Sequence, residues 1–130
     1  MKNIYYWSPC LNKVGTYKST INSAISLTSY SRNKYKIKII NACGEWNDCK
    51  ELFNSNNIEL INFGFNYFKY LPKKGFLGSR FSYLIIMFTS FLPLIRLLNK
   101  DKPDFLVMHL ITILPLLLTR FFYKSTNFIL

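Results

Sequence analysis

At 130 residues the chain is bounded to one domain or less, and its 50% hydrophobic and 18% aromatic content supplies a core and excludes global disorder. Seventeen Lys and Arg against six Asp and Glu give a formal net charge of +11, spread as eight basic and two acidic residues over 1–50 and nine and four over 51–130. Such a diffuse field suits an anionic membrane surface, a phosphorylated substrate or nucleic acid, and does not choose among them.

In chain order, residues 3–7 combine β-branched and aromatic side chains and stop at Ser8-Pro9, which predicts a first strand. A Gly15-containing loop over 10–18 follows, then a helix to about residue 30, capped by Thr16 or Ser19, with Ile21, Ala24, Ile25 and Leu27 or Thr28 on one apolar face. Residues 35–42 alternate and then turn apolar, predicting a second strand closed by Gly44. A short helix over 45–53, with acids in its first turn, and a third strand over 58–63 complete the first half.

Residues 64–79 read as a long loop and 80–99 as a helix. The sheet-covering face of that helix is expected to be Phe81, Leu84, Ile85, Phe88, Leu92 and Ile95, with Ser82, Thr89 and Arg96 on a thinner polar face and a kink at Pro93. Lys102-Pro103-Asp104 then opens Phe105-Leu106-Val107-Met108, too short for a helix and too uniformly apolar for a half-exposed strand. It reads as a strand buried on both faces of a parallel sheet, with His109, the only histidine, at its carboxyl end. A helix over 113–123 and a strand over 127–130 follow. The order β-α-β-α-β-α-β-α-β predicts an α/β fold, a Rossmann-like doubly wound parallel sheet. Because the last strand carries no polar tail, the chain is expected to be truncated at its C-terminus.

Cys10, Cys43 and Cys49 form an odd set without CxxC spacing or clustered histidines, so free thiols in a reducing compartment are expected and no metal is implied. The apolar piece 4–7 is too short for a signal-peptide core of about 7–15 residues. The uncharged runs 81–95 and 105–119 each contain 15 residues, against the roughly 18–20 a bilayer crossing needs. The alternative reading kept open is a small basic integral membrane protein with two hydrophobic helices over those runs. Neither GxGxxG nor GxxxxGK[ST] occurs, which leaves a dinucleotide fold or P-loop NTPase unsupported, and no nucleic-acid-binding motif appears.

Three stretches carry a family likeness: the opening Ile4-Tyr5-Tyr6-Trp7-Ser8-Pro9 with its Gly-containing loop, the blocks Lys36-Ile37-Lys38-Ile39-Ile40 and Ile58-Glu59-Leu60-Ile61, and Lys102-Pro103-Asp104-Phe105-Leu106-Val107-Met108-His109. The sequence resembles the N-terminal half of a GT-B glycosyltransferase of the large retaining family 4, the kind found in bacterial surface-polysaccharide assembly. It departs at Val107, where many relatives have a histidine, and in having a single glycine in the first loop.

The resemblance implies a nucleotide-sugar donor, a lipid-linked saccharide acceptor, no further cofactor, and a cytoplasmic enzyme peripheral on the inner face of the cytoplasmic membrane. His109 matches the histidine that sits near the transferred sugar. A second domain with two glutamates eight positions apart holds the donor in that family. The chain is expected to lack that pair and to be inactive without the missing C-terminal domain or a partner chain.

Three candidate sites result. His109 is expected to be catalytic. Lys13, Gly15, Thr16, Lys18 and Ser19 form the expected substrate or phosphate loop at a helix start. Lys69, Lys73, Lys74, Phe76, Arg80 and Phe81 form the expected membrane contact, cations meeting anionic head groups beside aromatic rings.

Overall fold

The computed structural model describes residues 1–31, 34–108 and 127–129. The elements are β1 (Lys2–Trp7), α1 (Gly15–Tyr30), β2 (Tyr35–Asn41), α2 (Lys50–Ser55), β3 (Glu59–Asn62), α3 (Phe76–Asp101), β4 (Phe105–Met108) and β5 (Asn127–Ile129). Single 3-10 turns at Asn47–Cys49 and Phe68–Tyr70 precede α2 and α3. The helix expected over 113–123 lies outside the described residues.

Four strands, β1 to β4, make an all-parallel sheet, and three-residue β5 extends its edge in the order β3-β2-β1-β4-β5. Among the described residues the fold is α/β, a parallel sheet with three helices, consistent with a Rossmann-like arrangement but short of the full doubly wound sheet expected from the sequence. Alternation along β1 and β2 explains why both faces bury apolar residues. Ile4, Tyr6, Ile37 and Ile39 face one side, with Ala24 of α1 and Phe53 of α2. Tyr5, Trp7, Ile40, Leu106 and Met108 face the other, with Ile86, Leu94 and Leu98 of α3.

Pro103 and Asp104 mark the entry to β4, and Asp104 ties the amino end of the sheet together. Its Oδ2 accepts the Asn3 N–H at 2.8 Å and its carbonyl accepts the Asn127 N–H at 3.1 Å.

Three boundaries differ from the sequence reading. Helix α1 begins at Gly15 with Val14 at the N-cap, and no side chain caps it, so neither Thr16 nor Ser19 serves that role. Glu45 is not in a helix. Its carboxylate folds back to accept the Ala42 and Cys43 N–H groups at 3.0 and 2.8 Å. Helix α3 begins at Phe76, inside the expected loop, and continues through Pro93 to Asp101, although Pro93 leaves the Thr89 carbonyl without its helical donor.

The largest correction concerns which side of α3 meets the sheet. Ser82, Ile86, Ser90, Leu94 and Leu98 are buried, while Leu77, Phe81, Leu84, Phe88 and Leu92 are exposed. The helix is apolar on more than one side, so size decides. Small Ser82 and Ser90, both fully buried, let the helix approach, and Ser82 Oγ donates to the Pro72 carbonyl at 2.6 Å.

Candidate functional site

The strand order reverses between β1 and β4, which are adjacent although three helices separate them in sequence. In open α/β sheets the ligand crevice lies outside the carboxyl ends of the strands at such a point. Trp7 pairs with Met108 there, so the chain leaves β1 into Ser8 beside the last described residue of β4. His109 itself lies outside the described residues.

On the β1 side the exit is buried and polar at once. Ser8 is fully buried and its Oγ has no hydrogen-bond partner among the described residues, and the same holds for Trp7 Nε1. Buried polar groups are normally paired, so two orphans at one strand exit are unusual.

The expected phosphate loop is only partly a loop. Gly15, Thr16, Lys18 and Ser19 form the first turns of α1, with Lys18 and Ser19 exposed and Thr16 half-buried. Space beside Gly15 is open, so its backbone is approachable. Lys13 is already engaged in an exposed ion pair with Asp48, Nζ to Oδ2 2.6 Å. Asp48 holds the Lys13 ammonium above its ordinary pKa, and Lys13 draws the Asp48 carboxyl below its own.

The exit of β2 holds a polar network that sequence reasoning missed. Asn41 Nδ2 donates to Asn47 Oδ1 at 2.9 Å and Asn62 Oδ1 at 2.6 Å, while Asn41 Oδ1 accepts the Gly44 and Trp46 N–H groups at 3.1 and 3.2 Å. Gly44 sits at φ +100, and a Cβ there would fall 2.7 Å from Asn66 Oδ1. Burial pushes the Glu45 carboxyl up against the pull of the Cys43 and Ala42 amides. The signal available in the sequence was the Asn-x-x-Gly turn pattern, which marks the bend without showing the carboxylate turning inward.

All three cysteines are free and buried. Burial, with Glu45 and Cys49 nearby, pushes the Cys10 thiol up to about 12. The Tyr17 hydroxyl contacts Cys49 Sγ, and the Tyr17 ring stacks on Trp46 with centroids 4.8 Å apart. Among the described residues no cluster of His, Cys, Asp and Glu is arranged to hold a metal ion.

The six expected membrane-contact residues fall on one segment, from the 3-10 turn into the first turns of α3. Lys69 lies over the Tyr70 ring, Lys73 over Phe68 and Arg80 over Phe76, at 4.8, 3.9 and 3.7 Å from the centroids. Phe76 is 68% and Phe81 59% exposed. Leu77, Gly78, Arg80, Phe81 and Leu84 line a shallow apolar depression. The segment is anchored near the strand exits: Phe68 N–H donates to the Cys43 carbonyl at 3.1 Å, and Tyr83 packs against the core cluster that includes Leu11 of the β1 exit loop.

Contrary to expectation, the chain does contain two glutamates eight positions apart, Glu51 and Glu59. They occupy different elements: Glu51 is exposed in the first turn of α2, and Glu59 opens β3 between Lys36 and Lys38, with Oε2 and Oε1 at 3.0 and 3.3 Å from their Nζ atoms. No family model, curated protein or solved structure matches the chain.

Of the two membrane spans in the alternative reading, the described part of the second is strand β4, paired with β1. The first lies in α3, which is long and apolar enough to cross a membrane but packs one side on the sheet.

Proposed function

We propose that the chain is the acceptor-side, N-terminal half of a GT-B glycosyltransferase, which moves a sugar from a nucleotide-sugar to a lipid-linked saccharide in polysaccharide assembly. The observation that carries this reading is the order β3-β2-β1-β4-β5, which sets the β1 exit, with a buried Ser8 hydroxyl that has no partner among the described residues, beside the β4 exit that His109 follows in sequence. In this reading His109 hydrogen-bonds the reacting sugar or its phosphate. The start of α1, with Gly15, Thr16, Lys18 and Ser19, offers amide groups to an anion. Lys13 reaches a phosphate only by leaving Asp48.

Donor binding belongs to a second domain, supplied by further chain or by a partner, and Glu51 and Glu59 do not stand in for its glutamate pair. The protein works peripherally on the anionic inner face of the cytoplasmic membrane. Lys69, Lys73, Lys74, Phe76, Arg80 and Phe81 meet the surface, and the hydrogen bond from Phe68 N–H to the Cys43 carbonyl holds that segment beside the β2 exit.

The test begins with the reading frame after the Leu130 codon, which should encode a second domain with glutamates eight apart. The extended protein should then transfer labelled sugar to a membrane-extracted lipid acceptor. His109→Ala should lower that turnover about 100-fold or more with little change in melting temperature. Transfer by the 130-residue chain alone, or equal loss of activity and stability in the variant, counts against the reading.

A further inference from the structure

The exposed side of α3 is the feature the fold leaves unexplained. Leu77, Phe81, Leu84, Phe88 and Leu92 recur at intervals of four, three, four and four residues and form one stripe opposite the buried side. All five are between 49% and 79% exposed. A soluble helix that packs on a sheet normally turns charged residues outward; here the bulkiest apolar side chains face away from the core.

Charge says what covers the stripe. From residue 60 to residue 100 the sequence has no Asp or Glu, while Lys69, Lys73, Lys74, Arg80, Arg96 and Lys100 are cations. Lys69, Lys74, Arg80, Arg96 and Lys100 are exposed, so they bracket the stripe at both ends. A second copy of the chain on this face would bring two acid-free, six-cation segments together, which repel. Crossing the bilayer would strip Ile86, Leu94 and Leu98 from the core they share with Trp7, Ile40, Leu106 and Met108. An anionic lipid surface meets both the apolar stripe and the flanking cations without disturbing the sheet.

We propose that α3 lies in the plane of an anionic bilayer, with Leu77, Phe81, Leu84, Phe88 and Leu92 immersed at the level of the upper acyl chains. This rests on the membrane part of the reading above, not on sugar transfer, and it moves the main contact from the 69–81 segment to the length of the helix.

The test is flotation of the full 130-residue chain with vesicles of phosphatidylcholine alone and of phosphatidylcholine mixed with phosphatidylglycerol. Binding is expected to the anionic vesicles, weakening as salt rises. The double variant Phe81→Ser/Phe88→Ser, if it keeps the wild-type far-ultraviolet dichroism as exposed positions should allow, is expected to lower partitioning about tenfold or more. A Phe88→Trp variant should be quenched by brominated acyl chains, and a Leu52→Trp variant, on exposed α2, should not.

Wild-type binding by Phe81→Ser/Phe88→Ser, with loss in Lys73→Gln/Lys74→Gln, overturns the α3 inference while leaving a membrane-bound protein. No wild-type binding to either vesicle overturns both. A concentration-dependent dimer that the serine variant dissociates, without vesicle binding, assigns the stripe to a second copy and overturns the inference. Bound α3 in a protein that transfers no sugar leaves the inference standing and removes the catalytic reading alone.

Discussion

The Tyr5 hydroxyl donates a hydrogen bond to Asp101 Oδ2 at 2.5 Å, fastening the middle of β1 to the last residue of α3. Lys38 completes the arrangement, its Nζ 5.2 Å from the Tyr5 ring centroid and 3.9 Å from the same carboxylate oxygen. Burial, with Asp101 beside it, raises the Tyr5 phenol, so it remains a donor at any pH at which the fold persists. Tyr5→Phe keeps the ring and removes the donor to a carboxylate. The expected cost is about 1–2 kcal/mol, read as a lower urea midpoint with unchanged slope. An unchanged midpoint would mean that Lys38 alone holds Asp101.

Glu45 gives a pH prediction with a definite sign. Its carboxyl is raised from 4.5 by burial, only partly opposed by the Cys43 and Ala42 amides. The folded chain therefore holds this proton more tightly than the unfolded chain. Its contribution to stability is fully present below about 4.5 and declines as pH climbs through the raised folded value. Glu45→Gln has no proton to lose and places an amide NH2 against one backbone donor, a defect of about 1–3 kcal/mol. The stability gap between wild type and variant should narrow between pH 4.5 and 8. A gap that widens over that range contradicts the assigned direction.

The thiols make a kinetic prediction. Burial raises Cys10 and Cys43, each with Glu45 nearby, and Cys49 is buried against the Tyr17 hydroxyl. Thiolate is the reactive species, so all three should react with an aromatic disulfide reagent at least about 100-fold more slowly in the native protein than in denaturant. One fast native equivalent would show that the β1 or β2 exit opens readily.

The strands were legible because their chemistry is local. Short runs rich in Ile and aromatic residues, set off by Pro, Gly or Asn, mark a strand by local chemistry, although β3 shows that burial is decided by the surrounding chain: none of its four residues is buried. Pro103-Asp104 announced β4 for the same reason. What the sequence left open depends on contacts between distant segments. Nothing near Glu45 shows that its carboxylate turns back on Cys43 instead of entering a helix. At the site, Lys13 looked free because its partner Asp48 is 35 positions away. That the Ser8 hydroxyl is buried with no partner among the described residues is visible only in the folded chain.

The sharpest test of the fold concerns the two sides of α3, where hydropathy and packing disagree. Periodicity favours Phe81 inward and Ser82 outward; the structure has Phe81 59% exposed and Ser82 fully buried, donating to Pro72 and lying 3.0 Å from the Gly78 carbonyl. Ser82→Leu therefore forces a larger side chain between α3 and the Pro72 segment packed on it, and removes the donor to the Pro72 carbonyl. A loss of about 2–4 kcal/mol is expected, the sum of overpacking and one part-buried hydrogen bond. Phe81→Ser removes an exposed ring and should change stability by less than about 0.5 kcal/mol. Conventional hydropathy predicts the reverse ranking, so urea titrations of the two variants decide the orientation directly. If Phe81→Ser is the costlier substitution, α3 is turned the other way, and the apolar stripe offered to the bilayer belongs to the core.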